Sequence, residues 1–145
     1  MIKNTDFLGT LSTNPFYFRH YDLNHFALYV SGKQAPPEGL TLDMSRINTA
    51  IMEYRNLFEG SGIHHSNTGL QITPVKYING YFMLVFDLTP DLAASEGHTS
   101  DPAHGILRLQ LKFAKALPYP LVCLLYLEFD NKVLIDSIRH VSTDF

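Results

Sequence analysis

Hydrophobic and polar residues alternate most clearly over residues 105–114. There Leu107, Leu109, Leu111 and Phe113 are interleaved with Arg108, Gln110 and Lys112. A period of two puts the apolar four on one face of a strand and the polar three on the other. Two more strand-like runs, 121–129 and 132–141, follow after a link at 116–120 and a tight turn at Asp130-Asn131. Upstream, Asn14-Pro15 initiates a turn. Phe16, Phe18 and His20 then alternate with Tyr17, Arg19 and Tyr21, which predicts a strand. A turn at 22–24 leads to a strand over 26–30 that closes at Ser31-Gly32-Lys33, where Gly32 suits a hairpin position of positive φ. Residues 81–88 (YFMLVFDL) and 121–127 are apolar on both faces, the pattern of strands at the centre of a sheet.

One helix interrupts the strands. Ile47, Ala50, Ile51, Tyr54, Leu57 and Phe58 recur at helical spacing and make a single apolar stripe over about 45–59. Asp43 or Ser45 is suited to cap its start, and Gly60 or Gly62 its end. The remaining segments read as connections: a Pro/Gly loop at 34–41, a short extended piece at 70–77 broken by Pro74, and a long polar loop at 89–105. Six or seven strands and one amphipathic helix predict an all-β chain, an antiparallel two-sheet sandwich forming a single domain over 1–145.

Composition narrows the function classes. Of 145 residues, 46% are hydrophobic and only 17% charged, so polar surface is scarce: either a partner covers part of the apolar surface, or the core of a β-sandwich takes up the apolar residues. The net charge of −3 provides no basic field for nucleic acid. Cys123, the single cysteine, falls in an apolar run and reads as a buried thiol. The first ten residues carry no apolar signal-peptide core, and no apolar run reaches membrane-spanning length; an intracellular setting is the expectation.

Candidate chemistry is sparse. His98 and His104 share one loop with Glu96 and Asp101, the donor types zinc uses, but a histidine in a polar loop is ordinarily solvated and no metal site is assigned. His64 and His65 are adjacent and point apart in an extended chain. Asp87, Asp91, Glu128, Asp130 and Asp136 lie in or beside strands, where carboxylates ordinarily bond turn backbone; Asp136 is expected to pair with Arg139 or Arg108. No nucleophile motif or phosphate-binding glycine loop is present, so no catalytic residue and no cofactor are expected. Phe16, Tyr17, Phe18 and Tyr21 with Arg19 have the outline of a platform for single-stranded nucleic acid. With one arginine among them, packing in the core and at an interface is the preferred reading.

Several phrases, taken in order, resemble a known family. They are Phe7-Leu8-Gly9, Asn14-Pro15-Phe16-Tyr17-Phe18, Leu28-Tyr29-Val30-Ser31-Gly32-Lys33-Gln34 and Tyr54-Arg55-Asn56-Leu57-Phe58-Glu59-Gly60. Gly80-Tyr81-Phe82-Met83-Leu84-Val85-Phe86-Asp87-Leu88-Thr89-Pro90-Asp91, Leu107-Arg108-Leu109, Lys112-Phe113-Ala114, Tyr126-Leu127-Glu128-Phe129-Asp130-Asn131 and Ile135-Asp136 complete the set. The chain resembles the C-terminal part of the capsid-type proteins of Polinton (Maverick) elements and adintovirus-like genomes. The resemblance implies an antiparallel jelly-roll β-sandwich, the second jelly roll of a longer double jelly-roll major capsid protein, here without the first. It implies a structural protein that self-associates, as a homo-oligomer with a trimer favoured, alongside other capsid proteins, in a virion or inside a host cell, without membrane or specific nucleic-acid contact. The family brings no catalytic residues. Interface candidates are Phe16, Tyr17, Phe18 and Tyr21, with His98 and His104 in the long loop; contacts are also expected from residues 34–44. The alternative is a domesticated jelly-roll module that binds a glycan, a peptide or nucleic acid on its loops.

Overall fold

The computed structural model describes residues 1–45, 49–63, 67, 69–93, 105–129 and 133–143. In chain order the elements are β1 (Ile2–Lys3), α1 (Asn4–Phe7), β2 (Leu23–Val30), β3 (Lys33–Thr41), α2 (Ile51–Gly60), α3 (Pro74–Ile78), β4 (Leu107–Phe113), β5 (Leu121–Val122), β6 (Val133–Ile135) and β7 (Val141–Thr143). The strands make three antiparallel sheets, ordered β1-β5, β3-β2-β4 and β6-β7. The chain is of the all-β class, with few helices.

The β3-β2-β4 sheet is the frame. The alternation in β4 does what its period predicts: Leu107, Leu109, Leu111 and Phe113 pack on the core, while Arg108 and Lys112 are exposed. β2 is the middle strand and contributes Leu23, Phe26 and Leu28 to the core. Ser31 (φ 50°) and Gly32 (φ 84°) form the two-residue turn to β3, with Val30 opposite Lys33. Positive φ at both positions twists the turn with the strands, and glycine adopts it without steric penalty.

The Pro/Gly segment expected as a loop at 34–41 is instead most of β3. Proline is tolerated there because β3 lies at the sheet edge, and because the register shifts between Phe26 and Leu28, so that residues 36–39 bulge out of the ladder.

Helix α2 begins later than expected. Its N-cap is Ala50, with no side-chain cap; Asp43 instead accepts from the Ser45 amide (3.0 Å) in a turn ahead of it. Ile47 lies outside the described residues. Ala50, Tyr54, Leu57 and Phe58 of the expected stripe face the core, while Ile51 is exposed and Glu53 is buried in addition. The helix ends as expected near its glycines: Gly62 (φ 69°) donates to the Glu59 carbonyl (3.1 Å). Helix α3 replaces the expected extended piece at 70–77. Pro74 opens it rather than breaking it, and the Thr73 hydroxyl caps the Lys76 amide (3.3 Å).

Four expected strands form only in part or not at all. Of residues 16–21, only Phe18 joins a ladder, through an isolated parallel bridge to Tyr81. Residues 82–88 make no ladder, although Phe82 is buried and Phe86 stacks on Phe26. The run lies over the core as an extended cover, tied by the Asn56 side chain to the Val85 amide (3.2 Å). The run 121–129 is strand only at Leu121–Val122, and 132–141 is a small hairpin of β6 and β7.

Candidate assembly surface

Past β5 the described residues turn their apolar side chains to water. Their entry is fixed: Ile2 pairs with Val122 and Lys3 with Leu121, and the Asn4 amide donates to the Pro120 carbonyl (3.1 Å). The Tyr119 ring beside this ladder carries the Lys3 ammonium 4.9 Å from its centroid and meets Tyr21 edge-on at 5.9 Å. Beyond Val122 the ladder stops. Leu124, Leu125, Tyr126 (86% exposed), Leu127 and Phe129 (78%) all face solvent. Leaving a large apolar side chain in water forgoes roughly 1.5–3 kcal/mol of burial each. A stretch expected at the centre of a sheet is therefore an uncovered arm, and Cys123, expected buried, is exposed with it.

The β6-β7 hairpin extends this surface. Asp136 shapes its turn: Oδ1 accepts from the amides of Ile138 (2.9 Å) and His140 (2.8 Å), and the Asp136 amide donates to the His140 carbonyl (3.1 Å). The carboxylate bonds backbone in place of the expected arginine partner. Val133, Leu134, Ile135, Ile138 and Val141 are exposed. Among the described elements β6 and β7 touch only each other. A lone two-stranded hairpin is marginal in water.

β4 forms the open edge of the main sheet among the described residues. On its polar face the Tyr29 hydroxyl donates to Gln110 Oε1 (3.2 Å), and the Arg108 guanidinium lies 4.3 Å from the Tyr29 ring centroid. This pair borders a shallow depression of about 600 Å3 with Ser31, Gly32, Gly105 and Ile106. Nothing in its lining combines a nucleophile with a base.

The aromatic segment is split rather than continuous. Phe16 (71% exposed) and Tyr17 face outward, Asn14 having turned the chain by accepting from the Phe16 amide (2.9 Å). Phe18 and Tyr21 are half-buried. Phe18 is held by Gly80, whose carbonyl accepts its amide (2.8 Å), and by the Phe82 amide donating back (3.2 Å). Burial, then the neighbouring Tyr119, pushes the Tyr21 phenol up to about 12. The Arg19 guanidinium lies 5.6 Å from the Tyr21 ring centroid, a cation–π contact beside the root of the arm. His98 and His104, with Glu96 and Asp101, lie outside the described residues, as do His64 and His65.

Titratable groups inside the fold are few. Glu53 is 5% exposed and its Oε2 has no hydrogen-bond partner; burial, and secondarily the charge of Asp43, raises its carboxyl pKa. Burial lowers His20, against the opposing pull of Asp22. Asp22 is held below the usual carboxylate range chiefly by its hydrogen bond from Lys115 (3.0 Å). Asp87 Oδ1 accepts from both the amide (2.9 Å) and the hydroxyl (2.7 Å) of Thr89, a turn-forming role. Among the described residues no three His, Cys, Asp or Glu side chains gather as a metal would need, and no helix is long and apolar enough to cross a membrane.

Of the aromatic interface candidates, Phe16 and Tyr17 are exposed and Phe18 and Tyr21 half-buried; sequence reasoning missed the arm and the hairpin. The available signal was Pro118-Tyr119-Pro120, which constrains the chain just before the arm and separates it from the end of β4. Comparison with protein-family models, curated proteins and solved structures finds no match for the chain.

Proposed function

We propose that this chain is a structural, self-associating subunit of capsid type, whose β-sandwich of jelly-roll kind is completed between copies. The observation that carries the reading is the uncovered apolar surface from Leu124 to Val141. Surface of this extent drives association, because covering it returns the burial energy that the single chain forgoes. The exposed Phe16 and Tyr17 offer a second apolar contact of the sort enriched at interfaces. The capsid assignment itself rests on the order of phrases shared with Polinton and adintovirus-like capsid proteins. On this reading the partner is the chain itself, with a trimer favoured, and the work done is architectural rather than catalytic.

Sedimentation velocity over a wide concentration range tests the reading, with negative-stain imaging of the heaviest species. The expected result is a mass that rises in whole multiples of the chain as concentration increases. A chain that stays monomeric throughout removes the proposal.

A further inference from the structure

Two features of the chain match each other. Among the described residues β4, seven residues long, is paired on one side only, and residues 123–129 are a seven-residue run with no ladder of its own. We infer that residues 123–129 of one copy add as an antiparallel strand to the β4 edge of a second copy, an inference that rests on the self-assembly reading above.

The pattern of the two segments carries it. With Arg108 opposite Glu128, Leu109 falls opposite Leu127 and Leu111 opposite Leu125. The apolar side chains of the incoming strand then continue the face of β4 that packs on the core. A slip of one residue turns those leucines to the wet face, so the pattern fixes the register modulo two. Charge selects further. Glu128 is the one acid in the run, and Arg108 and Lys112 are the two exposed cations of β4. An antiparallel strand brings Glu128 to Arg108, whose guanidinium is already held over Tyr29 and offers a planar fork to a carboxylate. A parallel strand brings it to Lys112, in a ladder that is less stable per residue. Within one chain the two segments share no ladder, and Leu121–Val122 is committed to β1. Strand addition at an open edge is a general way for backbone groups to find partners.

The test uses single-cysteine chains in a Cys123→Ser background. One protein carries Lys112→Cys; a second, size-tagged protein carries Leu124→Cys or Glu128→Cys. These three positions are exposed. Opposed residues of an antiparallel ladder lie about 4.5–5.5 Å apart at Cα, within disulfide reach, whereas a position four residues along is about 13 Å away. Mixed and mildly oxidised, Lys112→Cys is expected to cross-link to Leu124→Cys and not to Glu128→Cys. The reverse preference overturns the antiparallel strand. Cross-linking only when Lys112→Cys and Leu124→Cys share one chain overturns it too, since the arm then folds onto its own edge. A parent protein that sediments as an oligomer while neither pair cross-links overturns the strand addition and leaves self-assembly standing. A parent that is always monomeric removes both.

Discussion

The hydroxyl of Tyr77 lies 2.9 Å from the backbone carbonyl of Met83 and donates to it. The same hydroxyl is 3.2 Å from the carbonyl of Glu53, so one buried ring ties α3 to α2 and to the extended cover over the core. Tyr77 is fully buried, and burial, reinforced by Glu53, pushes its phenol well above the ordinary tyrosine range. Tyr77→Phe keeps the packing and removes the donor, leaving the Met83 carbonyl short of a partner. The expected loss is about 1–3 kcal/mol, read as a fall of several degrees in the thermal midpoint.

Glu53 gives stability a pH dependence of definite sign. Its carboxyl binds a proton more tightly folded than unfolded, because burial penalises the charge. Its contribution is therefore greatest below the ordinary glutamate pKa and is lost as pH rises through the folded value. Glu53→Gln removes the titration. Denaturant unfolding should show the parent losing stability, relative to the variant, as pH climbs from 4 toward 7; parallel curves for the two proteins refute it.

What the sequence made legible follows from where its periodicity had a single meaning. In β4, leucines alternate with charged and polar residues, and only a strand with one wet face fits. In 82–88 and 123–129 every residue but one or two is apolar, and such a run reads alike whether it is a central strand, a cover over the core or an uncovered arm. The neighbour decides, and the neighbour is not in the run. β3 was hidden for the opposite reason: Pro36, Pro37 and Gly39 have the composition of a loop, yet an edge strand with a bulge accommodates them. At the candidate surface the turn at Asn14-Pro15 was legible, but the exposure of Phe16 and Tyr17 was not, because an alternating aromatic run reads alike in a core and at an interface. The exposure of Leu124 to Phe129 was not legible either, because burial was inferred from hydrophobicity alone.

Replacing Leu125 and Leu127 together by Glu should abolish self-association while changing monomer stability little. Both side chains are exposed in the single chain, and exposed substitutions ordinarily stay within about 0.5 kcal/mol each. Sedimentation velocity reads the first effect and thermal unfolding at low concentration the second. A large drop in the thermal midpoint would place these leucines in the monomer's own core.

Cys123 reports on the same surface. Its thiol is exposed at the start of the arm, so a dilute sample should react with a maleimide to one equivalent without denaturant. At concentrations where the chain associates, labelling should slow severalfold as the arm is covered. A rate independent of concentration places Cys123 outside the interface.

Gly80 has φ 152°, a conformation that side chains disfavour, and a Cβ there would overlap the Tyr17 ring. Gly80→Ala is expected to destabilise by about 1–3 kcal/mol. Tyr17→Ala clears the ring, so the double variant should lose less than the sum of the two single losses, a coupling that a thermodynamic cycle measures. Strict additivity would show that the ring swings aside freely.

Pro36 and Pro37, in β3, have no amide hydrogens to offer an incoming strand, whereas β4 on the far side of the same sheet has a full set. The sheet therefore has polarity: one margin is chemically blunt and the other receptive. Were copies to join through the receptive margin, a reciprocal exchange of arms between two of them would close a twofold dimer, whereas one-way addition would pass from copy to copy and end as a ring or continue as a filament. The two imino acids confine strand addition to one margin of the sheet and leave that choice to the geometry of the arm.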